Sequence, residues 1–441
     1  PPYMGSGNMN ATLSDYVKRH YKEGKADLAT TFIEMMPRRL ADKGRYAFII
    51  PPSWMFLSTF GGLRQGIIQN NFIESLLHLS RGIFGADFGS VSCVIQNSKP
   101  GNACGTYFRL VDRTFQEFDQ NHLRILFENT LANHDFKYKF TDYTKDNTEF
   151  PCSDDGNRIY YPNIDQKKFE QIPGSPIGYW VSESYYNVFR NATIISQTHP
   201  VKKGIDTGNN LKFLRYWYEI SINKFSYTYR SRKWYIYIKG GIFRRWFGNV
   251  DLVVNWDKNG FEIKHYYKST IRNQSYMKKE AISWTLLSSK SGISARFIPN
   301  NCLFDNNGSS AFPIKDKEYL LGFLNSLVAN SCLTILNPTL AFQVGNIASL
   351  PYKDLKDKKQ INILVGHNIS LSRQDWDAHE TSWDFKENEL IRIGKEKGTH
   401  LLEDCYKAYV EEWTDKFMQL HANEEELNRQ FIDVYGLQDE L

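Results

Sequence analysis

The sequence predicts an α/β fold, a partial doubly wound sheet, followed by an α+β domain and a helical C-terminal spacer. Three observations carry this. Helical and strand periodicities alternate between residues 1 and 115. Cations and aromatics interleave in short strand-like runs between 201 and 355. After 356 the chain turns polar and helical. The expected organisation is 1–115 as the first domain, 116–200 as a connector, 201–355 as the second domain and 356–441 as the helical extension.

At 441 residues, 41% hydrophobic and 15% aromatic, the chain is long and apolar enough to bury several cores. The net charge of +5 is too small to indicate nucleic acid by itself, so the distribution of charge matters more than its sum. Six cysteines stand far apart, without a Cys-x-x-Cys pair or matching His spacing, which disfavours a zinc site and a disulfide framework. The reading is a reduced, cytoplasmic protein with no metal and no membrane partner. The most apolar stretch, Leu320 to Phe342, is interrupted by Asn325, Asn330, Asn337 and Pro338, short of the ~18 apolar residues a span needs.

Pro1-Pro2-Tyr3 opens the chain and is followed by a Gly/Ser/Asn loop. Such loops sit at the carboxyl ends of strands in open α/β sheets, where ligands bind. A polar helix is expected near Leu13 to His20. Leu28, Phe32, Met36 and Leu40 fall at helical spacing within 25–40, with Asp27 near the start and Gly44 past the end; Pro37 predicts a bend near Ile33. Arg45 to Pro51 reads as a fully buried parallel strand, then come a helix over 60–70 and strands over 72–79 and 91–96.

The stretch 116–200 lacks clean periodicity, and Ile172 to Trp180, with its two prolines, reads as an extended interdomain link. Further on, Lys202, Lys203, Arg232, Lys233, Lys239, Arg244, Arg245 and Trp246 are candidate DNA contacts, because cations neutralise phosphates while aromatics pack on sugars or bases. Read without context, the same residues describe a β-rich surface with solvated cations and half-buried rings. Leu320 to Leu327 is expected as a buried helix. In the extension, Leu401, Leu402, Cys405, Tyr406, Tyr409, Val410 and Trp413 share one helical face, expected to pack on the body or a partner.

Four stretches in order, Pro1-Pro2-Tyr3, Asp27-Leu28 with Phe32, Phe48-Ile49-Ile50-Pro51-x-Ser53-Trp54, and Ile83-Phe84-Gly85 leading into Val91 to Ile95, resemble successive motifs of the adenine-N6 DNA methyltransferases. Later stretches resemble the PglX family of BREX phage-defence systems: Ile172 to Trp180, Lys239-Gly240-Gly241-x-x-Arg244-x-Trp246-x-Gly248-Asn249, Asn337 to Leu340 with Gln343-Val344-Gly345, and Asp375-Trp376 with Glu380 to Phe385.

The resemblance implies S-adenosylmethionine-dependent methylation of adenine flipped out of double-stranded DNA, with other BREX proteins as partners. It makes Pro1, Pro2, Tyr3 and Phe84 catalytic: the Pro1 carbonyl accepts an amino hydrogen, and Tyr3 and Phe84 stack on the two faces of the base. Asp27 and Phe32 become cofactor-binding, although Phe32 on periodicity alone is a core residue. The family motif has Asn or Asp before the two prolines and a donor-binding turn upstream, so the chain is expected to be an inactive portion that begins inside its own motif. The alternatives are a non-catalytic DNA-recognition module with a methyltransferase-like shell, or a type II restriction-modification fusion.

Overall fold

The computed structural model describes residues 1–83, 89–112, 116–147, 149–225, 233–287, 292–339 and 341–441. Phe84 and Arg232, both expected at the site, lie outside the described residues. The chain divides into two units: Pro1–Asn191 with Thr334–Thr339, and Ala192–Leu333 with Leu340–Leu441. No single helix among the described residues is long and apolar enough to cross a membrane.

The first unit is built on a mixed sheet. Strands β1 (Arg45–Ile50), β2 (Phe72–Arg81), β3 (Gly89–Gln96) and β4 (Cys104–Arg109) lie in the order β1-β3-β2-β4, and Tyr160–Asp165 adds to β4. β3 runs antiparallel to both β1 and β2, so β1 and β2 are parallel to one another with β3 between them, while β4 runs parallel to β2. This corrects the expectation for β1. It pairs antiparallel, from Arg45 opposite Gln96 to Ile50 opposite Val91, and only Tyr46, Phe48 and Ile50 are buried. The apolar run Ala47 to Ile50 masks an alternation of period two.

Helix α1 (Ala11–His20) starts where Asn10 Oδ1 accepts from the Leu13 amide at 2.9 Å. Helix α2 (Leu28–Met35) starts on Asp27 and stops earlier than expected: Met36–Arg39 continues as a tighter 3-10 turn with Pro37 in its first turn. A proline lacks an amide hydrogen, so the chain places it where no intrahelical donor is needed, and the change comes at Met36 rather than at Ile33. Helix α3 (Gly61–Asn70) then packs Leu63, Ile67 and Ile68 into the core with Ile73, Leu76 and Tyr107.

The stretch expected as a connector is part of this unit. Phe118, Phe136, Tyr138, Phe140 and Phe150, with helix α4 (Gln120–Ala132), form a small core against Leu77, Leu79 and Phe108. Ile172, Ile177 and Tyr179 are also buried, so Ile172 to Trp180 is core rather than link. Arg64, itself 1% exposed, fixes it: Nε and Nη2 donate to the Gly174 carbonyl at 3.0 and 2.6 Å, and Nη1 donates to the Trp54 and Leu57 carbonyls at 2.8 Å.

The second unit holds two four-stranded sheets. One orders Leu214–Tyr216, Leu252–Asn255, Trp234–Ile238 and Leu303–Phe304; the other orders Ala295–Ile298, Ala281–Trp284, Ser310–Ala311 and Val201–Lys202. Helix Lys317–Asn325 is buried from Tyr319 to Asn325, as expected, but it stops short of Leu327, which is exposed and opens the next helix.

The extension belongs to this unit and is no separate domain. Helices Lys359–Asp377 and Leu402–Tyr435 meet through Asn423 Nδ2 donating to Asn368 Oδ1 at 2.8 Å, and Phe323 stacks on Tyr435 with centroids 5.3 Å apart. The face that packs is Asn423, Leu427, Phe431 and Tyr435. Of the expected face, Cys405 is buried while Leu401, Leu402, Tyr406 and Val410 are exposed. The polar Asn423 anchors this helix, so hydrophobicity alone picks the wrong half.

Candidate active site and nucleic-acid interface

Pro1, Pro2 and Tyr3 lie on the surface at the carboxyl end of β1, where Tyr3 Oη donates to the Ile49 carbonyl at 2.7 Å. The next residues run along the start of α2: the Ser6 amide donates to the Ala26 carbonyl and the Leu28 amide to the Met4 carbonyl, both at 2.9 Å. The tripeptide is thus held from two sides. The Tyr3 ring keeps 42% exposure, and its partial burial raises the phenol pKa, so the hydroxyl stays a donor.

The turn under this segment is stitched tightly. Glu34 Oε2 accepts from the Glu23 and Gly24 amides at 3.0 and 2.7 Å, and the Thr30 hydroxyl donates to the Gly24 carbonyl at 2.8 Å. A Cβ on Gly24 would stand 2.6 Å from the Thr30 carbonyl oxygen, so glycine is required there. Asp27 Oδ1 accepts from the Ala29 amide at 2.8 Å; the carboxylate caps α2 at its positive end. Phe32 is half-buried against the core. The structure therefore ties the residues just after Tyr3 to the chain around Asp27, through the Gly5–Asp27 bridge, and it gives Asp27 a structural task.

In the second unit the expected DNA contacts separate into two groups. Arg244 pairs with Asp375 and lies over the Trp376 ring at 5.1 Å; Arg245 Nη1 donates to Glu424 at 2.9 Å; Trp246, 2% exposed, donates its indole hydrogen to Glu424 at 2.6 Å. From the other side, fully buried Arg296 donates to the Arg244 and Gly240 carbonyls at 3.1 and 3.3 Å. Gly248, at φ +126°, lets Trp376 approach: a Cβ there would meet its ring at 3.0 Å and the Arg244 side chain at 2.6 Å. These three residues clamp the extension onto the sheets, and their charges and indole hydrogen are engaged with Asp375 and Glu424, an arrangement that does not favour the expected DNA role. Lys233 lies over Trp234 at 5.6 Å, and Lys239 sits in the field of Asp305.

Lys202 and Lys203 fare differently. Lys202 Nζ stands 5.4 Å from the Tyr276 ring centroid and Lys279 Nζ 5.1 Å from the same centroid. Asn273 Nδ2 donates to the Lys203 carbonyl at 2.8 Å, and Asp206 and Thr270 exchange backbone bonds at 2.9 and 2.8 Å. These bonds hold the stretch 266–279 against 202–206. Lys268, Arg272, Lys278 and Lys279 are exposed on it, as is Tyr267. Among the described residues none of these six cations is paired with a carboxylate. Lys268, Arg272, Lys278, Lys279 and Tyr276 were not among the expected residues; the available signal was the density of cations between Lys264 and Lys279, a stretch with no carboxylate.

With this geometry in hand, comparison with known proteins is direct. Residues 1–84 match the family described as Eco57I restriction-modification methylase. The chain is 36% identical over 466 aligned positions to the adenine-specific methyltransferase PglX of Lacticaseibacillus casei (strain Zhang), and 31% identical over 452 to the adenine-specific methyltransferase BrxX of Escherichia coli O9:H4 (strain HS). All of this chain aligns with PglX-type adenine-specific methyltransferases. It spans about a third of their length, 36% of PglX and 34% of BrxX. Among solved structures, the type IIL restriction-modification enzyme MmeI, determined in complex with DNA, shares the fold at a TM-score of 0.54 and 13% identity, over 99% of this chain and 54% of that one.

Proposed function

We propose that the chain carries the base-binding and DNA-recognising parts of an S-adenosylmethionine-dependent N6-adenine DNA methyltransferase of phage defence. The observation that supports this best is the Pro1-Pro2-Tyr3 segment, held at the carboxyl end of β1 by Tyr3 and by the ladder to α2, within the residues that match a DNA methylase family. An adenine amine is a weak nucleophile because its lone pair is delocalised into the ring. The Pro1 carbonyl accepts one amino hydrogen and so favours tetrahedral nitrogen, and the exposed Tyr3 ring receives one face of the extruded base. S-adenosylmethionine supplies the methyl group as an electrophile. Of the residues expected to hold it, half-buried Phe32 fits as a wall beside the donor's adenine, whereas Asp27 is committed to the α2 cap.

DNA binding falls to Lys202 and Lys279 at Tyr276, with Lys203, Lys268 and Arg272 on the same two stretches, which neutralise phosphates. The test is methyl transfer from labelled S-adenosylmethionine to target DNA by the protein that carries this chain. Tyr3→Ala should lower the rate roughly 5- to 150-fold, the equivalent of ~1–3 kcal/mol for one base stack. Tyr3→Phe keeps the ring and loses the hydroxyl's bond to Ile49, so it should keep most of the rate. A Tyr3→Ala protein as fast as the parent would rule out the stacking role.

A further inference from the structure

The second unit contains a cavity of about 170 Å3 that neither methyl transfer nor phosphate binding uses. Phe247, Trp376 and Trp383 give it aromatic walls, and two carboxylates, Asp377 and Asp384, line it. Each carboxylate has one neutral donor: the Ser382 hydroxyl donates to Asp377 Oδ1 at 2.7 Å and the Trp383 indole to Asp384 Oδ2 at 3.0 Å. Among the described residues neither is paired with a cation. Arg373 lines the same cavity, but its guanidinium lies over Phe247, 4.4 Å from the ring centroid. Burial, with Asp384 adding to it, pushes the Asp377 carboxyl above its ordinary range, while the Ser382 bond and the charge of Arg373 act against that rise without cancelling it.

We propose that this cavity binds the head of an organic cation, an alkylammonium or a guanidinium. Ring faces attract such heads through their quadrupole, and the uncommitted carboxylate oxygens accept their hydrogens. An anion would meet two carboxylates against the single guanidinium of Arg373, which already lies over Phe247, and a wholly apolar group would leave the carboxylates desolvated without a partner. The site is built for more than a head group. A wider recess of about 780 Å3 shares Arg373, Asp377 and Asp384 with it and gives room for the stem that carries the charge.

Two sources have this chemistry: a free polyamine, and an Arg or Lys side chain of a partner protein. The experiment follows tryptophan emission and heat on titrating the protein with spermidine and, separately, with an acetyl-Gly-Arg-Gly amide peptide, at constant ionic strength. Saturable binding of either is expected, and the tighter ligand identifies the source. Asp377→Asn keeps the acceptor for Ser382 and should weaken binding at least tenfold; Trp383→Leu should do the same. Arg215→Ala, whose side chain bonds the Leu211 and Leu214 carbonyls and does not line the cavity, should leave it unchanged. No saturable binding of either probe, or equal binding by parent and Asp377→Asn, overturns the proposal. Neither result bears on methyl transfer, so the two readings fail separately.

Discussion

At the scale of single residues, each unit holds, among the described residues, one fully buried arginine without a carboxylate. Burial lowers Arg64 and Arg296 to about 10, still charged at neutral pH, and backbone carbonyls solvate each guanidinium in place of water. Removing Arg64 strands the carbonyls of Trp54, Leu57, Gly174 and Ser175, at ~1–3 kcal/mol for each left unsatisfied. Arg64→Ala is therefore expected to cost about 3 kcal/mol or more in urea denaturation, and an unchanged midpoint would show that water replaces the guanidinium. His78 makes the complementary case. Neither ring nitrogen has a partner among the described residues, and burial, helped by the charge of Arg109, lowers it to about 3. The unfolded chain protonates it near 6.5, so between these values the unfolded state holds the extra proton and stability falls as pH falls, by about 1.4 kcal/mol per unit. His78→Leu should remove that slope. From pH 7 to pH 5 the parent is expected to lose about 2 kcal/mol more than the variant.

At the scale of elements, the clamp between the glycine-rich loop and the extension decides what Arg244, Arg245 and Trp246 do. Read in sequence, they are two cations and an aromatic, the composition of a DNA surface. Their partners Asp375 and Glu424 stand 131 and 179 positions further on, and no local pattern reveals such a pairing. The same limit hid the role of Ile172 to Trp180, whose carbonyls answer an arginine 110 positions earlier. By contrast α1, α2, α3 and the positions of β1, β2 and β3 were legible, because caps, prolines and apolar periodicity act within a turn or two of chain, whereas β4, Tyr160–Asp165 and the antiparallel pairing of β1 were not. The Pro1-Pro2-Tyr3 motif was legible too, but only as one of four ordered stretches. A double-mutant cycle on Arg245 and Glu424, both about three-quarters buried, is expected to give a coupling of about 1–2 kcal/mol. Arg245→Ala should leave the salt slope of DNA binding unchanged. A slope lowered by about one would return Arg245 to the phosphates.

At the scale of the whole molecule, the proposed function divides the work between the two units: the first presents Tyr3 and the Pro1 carbonyl to the base, the second presents Lys202 and Lys279 at Tyr276 to the phosphates. This division has kinetic consequences. A phosphate contact acts equally on ground and transition states, so its loss weakens binding without slowing chemistry, whereas a group that holds the extruded base acts after the duplex is bound. Replacing both Lys202 and Lys279 by Ala should raise Kd for DNA, lower the salt slope by about two and leave kcat near the parent value at saturating DNA. Tyr3→Ala should lower kcat and leave the salt slope alone, because Tyr3 carries no charge and touches no phosphate. Measuring both parameters in both variants at several salt concentrations decides the matter: if each variant shifts kcat and the slope together, the cations of the second unit and the base-binding segment of the first act as one site, and the division fails.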